Sequence, residues 1–313
     1  MKIDKLRLGI WGWWGQKNLG DNWILSTMQE MFRKYEIIPL SDTTLDFSPY
    51  NLDFVILGGG GLFAERVKPP WNSPQSIKIP YGVFSLGTEH GVDKTEIRNL
   101  KEKAIFFSVR DAMTAKKFGF APNEVDIIPD ATFYKPIRST SCIDGHISLI
   151  WRNDLRTLHR YSSTWTEYVG GLTAKEDWIA ELKKVAPNIK IKDVDFYTEK
   201  TSPYTDLRGS IMIISMRYHG VIAAVQMGVP CIAIDVCPKI KALMEALKLE
   251  DLAIKVGDLH KLEKIYALCT DESVSSIKKM RYFTERAKYS MFRYLRDVAY
   301  PCLNNLVRKV KIK

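Results

Sequence analysis

The chain has 313 residues, of which 46% are hydrophobic and 26% are charged, and its formal net charge is +10 at pH 7. The length is more than one hydrophobic core usually supports and predicts two domains, while the composition excludes a fibrous or disordered chain. The five cysteines include no C-x-x-C pair, which argues against a disulfide framework or a zinc site and predicts reduced, mostly buried thiols.

In the first half, short runs rich in β-branched and aromatic residues alternate with segments at helical spacing. This alternation is typical of strand and helix units around a parallel sheet. We predict strands at residues 7–11, 54–57, 81–86, 104–109 and 125–128, and helices at residues 22–35, 93–101 and 112–118. Residues 135–145 contain proline, serines and glycine with little periodicity, which predicts a linker.

After this linker the pattern restarts. We predict strands at residues 146–151, 189–194, 211–215 and 231–234, helices at residues 177–185 and 220–227, and a mainly helical part over residues 259–305. The predicted organisation is a Rossmann-like domain over residues 1–138, a second over residues 146–285, and a helical segment over residues 286–313. Two such domains are expected to face a cleft, with ligands at the carboxyl ends of the strands.

Residues 15–21, with the sequence GQKNLGD, follow the first predicted strand and precede the first long helix. A glycine turn at a helix amino terminus presents N–H groups and positive potential, which suits an anion or a sugar hydroxyl. The segment is neither G-x-G-x-x-G nor a Walker A loop, which disfavours dinucleotide or ATP binding. Asn18, Gly20 and Asp21 are candidate site residues. The alternative is that Asp21 or Asn22 caps the helix.

Four consecutive glycines, Gly58, Gly59, Gly60 and Gly61, directly follow the second predicted strand. Such a run loses conformational entropy on ordering and buries no side chain, so we expect it to allow close backbone approach to a ligand or to another element. A flexible linker is the alternative, although linkers rarely follow a buried strand directly.

Two further predicted strands end in charged residues. Arg110 can hold a carboxylate or a phosphate through two parallel hydrogen bonds, and Asp111 could orient it or cap the next helix. Asp130 closes the following strand in the same way. We take Arg110 and Asp130 as candidates for substrate binding.

Residues 216–220, with the sequence MRYHG, lie between a predicted strand and a helix of small residues. Arg217, His219 and the helix amino terminus together predict an anion site with one group that can transfer a proton near neutral pH. Tyr218 and Gly220 complete the motif and are candidate substrate contacts. Lys241, in the next part of the same predicted sheet edge, either binds an anion or is solvated.

The positive charge favours an anionic partner. No helix-turn-helix, RNP or zinc-finger pattern accompanies it, which argues against nucleic acid. The basic residues 308–313 are either a solvated tail or a contact with the inner face of an anionic membrane. The amino terminus has no apolar run of signal-peptide length, and no stretch reaches the ~18 apolar residues of a membrane span, so we expect a cytoplasmic protein.

Taken in order, these motifs resemble the polysaccharide pyruvyl transferase family. They are N-x-G-D at residues 18–21, the glycine run at 58–61, V-R-D at 109–111, P-D at 129–130, R-x-H-G at 217–220 and G-x-P at 228–230. Each motif is weak alone, but the ordered set covers about residues 6–241. Tyr218 stands where the family usually has leucine, and Asn22 stands where it commonly has an acidic or small residue. These two differences leave the specificity for the acceptor sugar undetermined.

The resemblance implies an α/β fold similar to that of GT-B glycosyltransferases, with two Rossmann-like domains and the active site between them. It also implies phosphoenolpyruvate as donor and, as product, a ketal on two hydroxyls of a sugar in a polysaccharide or its lipid-linked precursor. No cofactor is implied and no metal is required. The backbone of Gly20 and of the glycine run would contact donor or acceptor.

Addition of a sugar hydroxyl to phosphoenolpyruvate needs an acid, a base and groups that hold two anions. We assign His219 as the acid, with Arg217 and Arg110 on the phosphate and the carboxylate. Asp21 or Asp130 would activate the hydroxyl. Two alternatives remain, a nucleotide-sugar glycosyltransferase of the same architecture and a noncatalytic protein that binds an anion or a glycan.

Overall fold

The computed structural model describes residues 6–41, 44, 46–63, 78–88, 92–121, 123–137, 145–152 and 175–310. Residues 138–144 of the predicted linker, including Cys142, lie outside the described residues. The four described cysteines are thiols: Cys231, Cys237 and Cys269 are buried, and Cys302 is partly buried. The prediction of reduced and mostly buried cysteines is confirmed for these four.

The chain forms two compact units, each with its own parallel sheet. The first comprises residues 1–135, 199–201 and 286–313, and the second comprises residues 136–198 and 202–285. Strands alternate with helices along both units. This confirms the predicted α/β class with two Rossmann-like parts.

The sheet of the first unit has the strand order β2-β1-β3-β4-β5-β6 among the described residues, and its paired strands are parallel. The strands are β1 (Arg7–Gly12), β2 (Glu36–Ser41), β3 (Phe54–Phe63), β4 (Tyr81–Thr88), β5 (Phe107–Val109) and β6 (Asp126–Ile127). The connecting helices are α1 (Leu19–Met31), α2 (Lys94–Lys103) and α3 (Ala112–Phe118), with short 3₁₀ helices at Ser48–Tyr50 and Ala131–Tyr134.

The central strands of this sheet are buried along their length. All eight residues of β4 are buried, as expected for a parallel strand covered on both faces. Trp11, Leu57, Val83 and Val109, from four different strands, belong to one apolar core. Burial of this core is the main favourable term that holds the unit together.

The sheet of the second unit has the order β11-β10-β9-β7-β8 among the described residues, again with parallel pairing. Its strands are β7 (His146–Ile150), β8 (Lys190–Asp193), β9 (Ser210–Ser215), β10 (Cys231–Asp235) and β11 (Ala253–Lys255). Its helices are α4 (Lys175–Val185), α5 (Tyr204–Leu207), α6 (Tyr218–Met227), α7 (Pro238–Leu247) and α8 (Leu262–Asp271). Short 3₁₀ helices span Glu250–Leu252 and Leu259–Lys261.

The chain ends in helix α9 (Ser273–Tyr294), a π-helical turn (Leu295–Ala299) and helix α10 (Tyr300–Val310). Tyr294 packs against Phe84 and Phe106, with ring centroids 6.0 and 6.3 Å apart. The Tyr300 hydroxyl donates to the Met31 carbonyl oxygen at 2.7 Å. These contacts attach the carboxyl-terminal residues to the core of the first unit. Among the described helices, none combines the length and the hydropathy that a bilayer-spanning segment requires.

Strand β3 is longer than predicted, and strands β2 and β11 were not predicted. Strand β3 continues through the four glycines to Phe63, because their backbone pairs with β4, for example Gly60 with Leu86. Strand β2 was not predicted, since Pro39 interrupts its pattern. It lies at the edge of the sheet, where proline is tolerated because its missing N–H faces away from the ladder.

Candidate functional site

In both sheets the strand order reverses once, between β1 and β3 in the first unit and between β7 and β9 in the second. The chain leaves these neighbouring strands in opposite directions, which opens a crevice at their carboxyl ends where ligands bind in this type of sheet. The predicted motif at residues 58–61 lies in β3, the motif at 217–220 lies directly after β9, and the motif at 18–21 lies at the start of the helix that follows β1. Each therefore lies at the switch point of its own sheet.

Helix α1 begins directly after this edge in the first unit. Asn18 is its N-cap residue: the Asn18 Oδ1 accepts from the Gly20 backbone N–H at 3.2 Å, and the Asn18 Nδ2 donates to the Asp21 carboxylate. The alternative that Asp21 or Asn22 caps the helix is wrong, because the helix begins at Leu19. Asp21 instead lies buried in the first turn, where the helix dipole favours a negative charge.

The glycine run lets other elements approach the end of β3. Gly58, Gly59 and Gly60 have φ angles of +135°, +77° and +112°, which side-chain-bearing residues rarely adopt. A Cβ at Gly58 would lie 2.2 Å from the Phe84 carbonyl oxygen, and one at Gly60 would lie 3.1 Å from the Asp21 Oδ1. The expected close approach is confirmed, and the approaching groups belong to the protein itself. Contact of the glycines with a ligand stays a prediction.

Gly60→Ala tests whether the position of the Asp21 carboxylate matters. The new methyl group would displace this carboxylate and occupy a strained φ, at a cost of about 1 to 3 kcal/mol in the free energy of unfolding. We expect urea denaturation to show this loss and the turnover number to fall. Gly15→Ala is the matched control, since Gly15 has a φ of +76° and none of the described residues lies within 4 Å of its Cβ position. Equal turnover of the two variants would contradict a role for the Asp21 carboxylate.

Arg110 follows β5 and is almost fully enclosed, with its side chain 2% exposed. Its Nε lies 3.2 Å from the Asp111 Oδ2, and its Nη1 lies 3.9 Å from the Asp130 Oδ2. A Cβ at Gly87 would lie 2.6 Å from the guanidinium carbon, so the absence of a side chain there leaves room for Arg110 beside β4. Gly87 was not predicted, although a glycine inside a strand indicates close approach. Binding of a substrate anion by Arg110 stays a prediction.

The two acidic partners of Arg110 also fix the backbone around it. The Asp111 Oδ1 accepts from the Thr114 N–H at 2.7 Å and caps α3, so Asp111 has both functions considered from the sequence. The Asp130 Oδ1 accepts from the backbone N–H and the hydroxyl of Thr132, at 3.1 and 2.9 Å. These hydrogen bonds to carboxylates are charge-assisted and are therefore stronger than hydrogen bonds between neutral groups.

Strand register brings the candidate residues of the first unit to one edge. Gly60 pairs with Leu86, and Leu86 pairs with Val109, so Gly60 and Val109 are two strand spacings, or about 10 Å, apart. Helix α1 packs against the 3₁₀ helix that begins after Asp130. The structure thus gathers at this edge the candidates Asn18, Gly20, Asp21, Gly58, Gly59, Gly60, Gly61, Arg110 and Asp130.

In the second unit, a hydroxyl group fixes the turn between β9 and α6. The Ser215 Oγ accepts from the Arg217 backbone N–H at 3.0 Å and donates to the Arg217 carbonyl oxygen at 2.8 Å. Arg217 is the N-cap residue of α6, and His219 lies in its first turn; both side chains are partly exposed. The guanidinium and the imidazole therefore lie beside the positive end of one helix at the edge of the sheet.

The other members of this motif are more enclosed. Tyr218 is buried, and its ring meets the His219 ring edge to face with centroids 5.3 Å apart. A Cβ at Gly220 would lie 2.2 Å from the Ser215 Oγ and 2.7 Å from the Ile150 Cδ1, so glycine here lets α6 pack on its sheet. Substrate contacts of Tyr218 and Gly220 stay predictions.

Lys241 lies on α7. Its side chain is 60% exposed, and its Nζ lies 3.9 Å from the Glu245 Oε1. Lys241 lines a cavity together with Asp235, which the sequence predictions did not include. The sequence does contain a signal for Asp235: it directly follows the apolar run at residues 231–234, and strand ends carry functional side chains in this type of sheet.

Asp235 ends β10 and is buried, with 8% of its surface exposed. Burial raises the pKa of its carboxyl group above the ordinary 3.8, although Lys241 and Lys255 lower it in part. The Cys237 backbone N–H bonds to this carboxylate, and its Oδ1 has no hydrogen-bond partner in the described part of the chain. A buried, ionised carboxylate with an unsatisfied oxygen lowers the free energy of unfolding.

Asp235→Asn should therefore stabilise the protein at neutral pH. Because the folded-state pKa is raised, the cost of ionising Asp235 is fully present above that pKa and absent below the unfolded-state value of 3.8. We expect the melting temperature to rise by roughly 1 to 3 °C at pH 7, and the gain to vanish near pH 3.8. The exposed Asp251→Asn is the control. An Asp235→Asn variant that melts below the wild type at pH 7 would contradict this account.

The comparisons with known proteins agree with this architecture. The family model described as polysaccharide pyruvyl transferase matches residues 18–238. A crystal structure of a putative UDP-N-acetylglucosamine 2-epimerase from Listeria monocytogenes is similar over 93% of this chain and 95% of that chain, at 10% identity and a TM-score of 0.54. The UDP-N-acetylglucosamine 2-epimerase from Rickettsia bellii matches over 93% and 98%, at 10% identity and a TM-score of 0.49. No curated protein matches the chain significantly.

The likeness to the Listeria structure shows a shared fold and carries no information on activity, because the identity is 10%. It agrees with the predicted similarity to GT-B glycosyltransferases, which also consist of two Rossmann-like domains.

Proposed function

Because the chain belongs to the polysaccharide pyruvyl transferase family, we propose that it transfers a pyruvyl group from phosphoenolpyruvate to two hydroxyls of one sugar. The products are a cyclic ketal and inorganic phosphate. The sugar belongs to a polysaccharide or to a lipid-linked precursor of one. The observation that carries the proposal is the combination of Arg217, His219 and a helix amino terminus at the switch point of the second sheet.

This combination meets the needs of the donor. Phosphoenolpyruvate carries a phosphate and a carboxylate, and the Arg217 guanidinium can form two parallel hydrogen bonds to either one. The amino terminus of the ten-residue helix α6 adds positive potential beside it. His219 is the second residue of this helix, and its side chain is partly exposed, although its Nε2 atom is buried.

The reaction proceeds by addition and then substitution at C2 of the donor. One sugar hydroxyl bonds to C2 while His219 delivers a proton to C3, which becomes the methyl group. The C2–O bond to phosphate then breaks, phosphate departs with the bonding electron pair, and the second hydroxyl bonds to C2. Of the two hydroxyl protons, one replaces the proton that His219 gave to C3 and the other leaves with the phosphate, and no oxidant or reductant is needed.

The proposed base for hydroxyl activation is a carboxylate, either Asp21 or Asp130. Asp21 is the better candidate, since it is 9% exposed and lies beside Gly60 of β3. Asp130 is wholly enclosed, with its side chain 0% exposed, and it holds Arg110 and Thr132 in place. We therefore assign Asp21 as the base, and Asp130 and Arg110 as residues that position this edge of the sheet. Contact between Arg110 and a carboxylate of the substrate is kept as part of the proposal.

The test is incubation with phosphoenolpyruvate and a set of sugar acceptors, both free and lipid-linked, while phosphate release is measured. Acceptor-dependent release of phosphate, together with a product heavier by one pyruvyl ketal in mass spectrometry, is the expected result. Release of a nucleoside diphosphate from nucleotide sugars would favour a glycosyltransferase instead. Binding of phosphoenolpyruvate or glycan without turnover would favour a noncatalytic protein.

Access to a lipid-linked acceptor would be helped by a contact with the membrane surface. The basic residues 308–313 suit an anionic bilayer, and residues 311–313 lie outside the described residues. The same incubation with vesicles that contain an anionic phospholipid would show this contact as co-sedimentation that high salt abolishes.

A further inference from the structure

A cavity of about 520 Å³ lies in the second unit beside the edge strand β11. Its volume is in the range of sites for small molecules. The cavity is lined by residues of β10, α7, β11, α8 and the segments between them, which include the apolar side chains Ala253, Met244, Ile254 and Ile265. It therefore has an apolar wall as well as charged groups.

The charged groups of this cavity are nearly balanced. Among the described residues of its lining are three lysines, Lys241, Lys255 and Lys261, and four acidic residues, Asp235, Glu245, Glu250 and Asp258. Lys261 pairs with Asp258 at 2.7 Å and Lys241 lies 3.9 Å from Glu245, so these charges compensate one another and neither sign dominates the lining. The lining is thus suited to a neutral, polar ligand that can both donate and accept hydrogen bonds.

Asp235 and Lys255 form the most specific part of the lining. They are register partners on β10 and β11, so their backbones are one strand spacing, about 5 Å, apart. The buried Asp235 Oδ1 has no hydrogen-bond partner in the described part of the chain, and the exposed Lys255 ammonium can donate. An acceptor beside a donor matches a hydroxyl group, which donates one hydrogen bond and accepts others.

We propose that this cavity binds a sugar ring through its hydroxyls, with Asp235 accepting, Lys255 donating, and the apolar wall covering a C–H face of the ring. The inference rests on the proposed function in that the bound sugar belongs to the acceptor. Strand register supports a location of this cavity next to Arg217. Ala233 of β10 pairs with Ser215 of β9, and Asp235 and Arg217 each follow two residues later, at the same edge of the sheet. The sugar site therefore adjoins the proposed donor site.

The test measures sugar and donor separately on the full chain. Binding of glucose, galactose, mannose and their 2-acetamido forms is followed by saturation-transfer NMR, and binding of phosphoenolpyruvate by calorimetry. We expect at least one neutral sugar to bind weakly, and Asp235→Asn and Lys255→Gln to lower its affinity about 10-fold or more. Both variants should keep the wild-type affinity for phosphoenolpyruvate. Asp251→Asn should leave both affinities unchanged.

The outcomes distinguish this inference from the proposed function. Binding of phosphoenolpyruvate without binding of any neutral sugar would overturn the sugar site and leave pyruvyl transfer standing. Sugar binding that depends on Asp235, without binding of phosphoenolpyruvate, would support the sugar site and contradict the proposed function. Sugar binding that Asp235→Asn leaves intact would also overturn the sugar site.

Discussion

Replacement of His219 by alanine should lower the turnover number about 100-fold or more, since general acid catalysis contributes at least that much. His219 lies in the first turn of α6, partly exposed beside Arg217, and the proposed reaction needs a proton at C3 of the donor. The loss should fall on turnover more than on the KM for phosphoenolpyruvate, because Arg217 still binds the donor. Steady-state phosphate release measures both quantities.

Two further variants separate proton transfer from other effects at this position. His219→Gln keeps a polar side chain but cannot act as a general acid, so it should be about as inactive as the alanine variant. His260→Ala removes an exposed histidine elsewhere in the same unit and should leave the rate unchanged. Retention of more than about a tenth of the turnover in His219→Ala would remove this residue from the mechanism.

Replacement of Arg110 by alanine should lower the free energy of unfolding by about 3 to 5 kcal/mol, the usual effect of removing one partner of a buried ion pair. The Arg110 and Asp130 side chains are 2% and 0% exposed, so the Asp130 carboxylate would stay buried without its guanidinium. Urea denaturation followed by tryptophan fluorescence measures the loss. Arg33→Ala, at an exposed arginine of the same unit, should change stability by less than about 0.5 kcal/mol.

A double variant tests the cause of this loss. If the penalty comes from the isolated carboxylate, then Arg110→Ala combined with Asp130→Asn should be more stable than Arg110→Ala alone. Additive losses in the two single variants would show that Arg110 and Asp130 are not coupled. The Arg110→Lys variant keeps the charge but not the planar fork. A raised KM for phosphoenolpyruvate in a folded Arg110→Lys protein would support contact with the substrate.

The strands and helices with strong local signals could be predicted from the sequence. Helix α3 spans the predicted residues because Asp111 caps its start and Gly119, in the left-handed conformation, ends it. The motifs at residues 109–111 and 217–220 were also placed correctly at strand ends, since the carboxyl ends of parallel strands lie at one edge of a sheet. Strand β11 and helix α7 were not predicted, and with them the cavity beside Asp235 was missed.

What the sequence by itself determined is the α/β class, the order of the main elements and the residue types available at each strand end. These follow from hydrophobic periodicity, caps and glycines, which act over a few neighbouring residues. Only the tertiary structure decided that β3 runs through its glycines, that Gly87 makes room for Arg110, and that Asp235 lies opposite Lys255. Such contacts depend on strand register and packing between distant parts of the chain, and no local pattern encodes them.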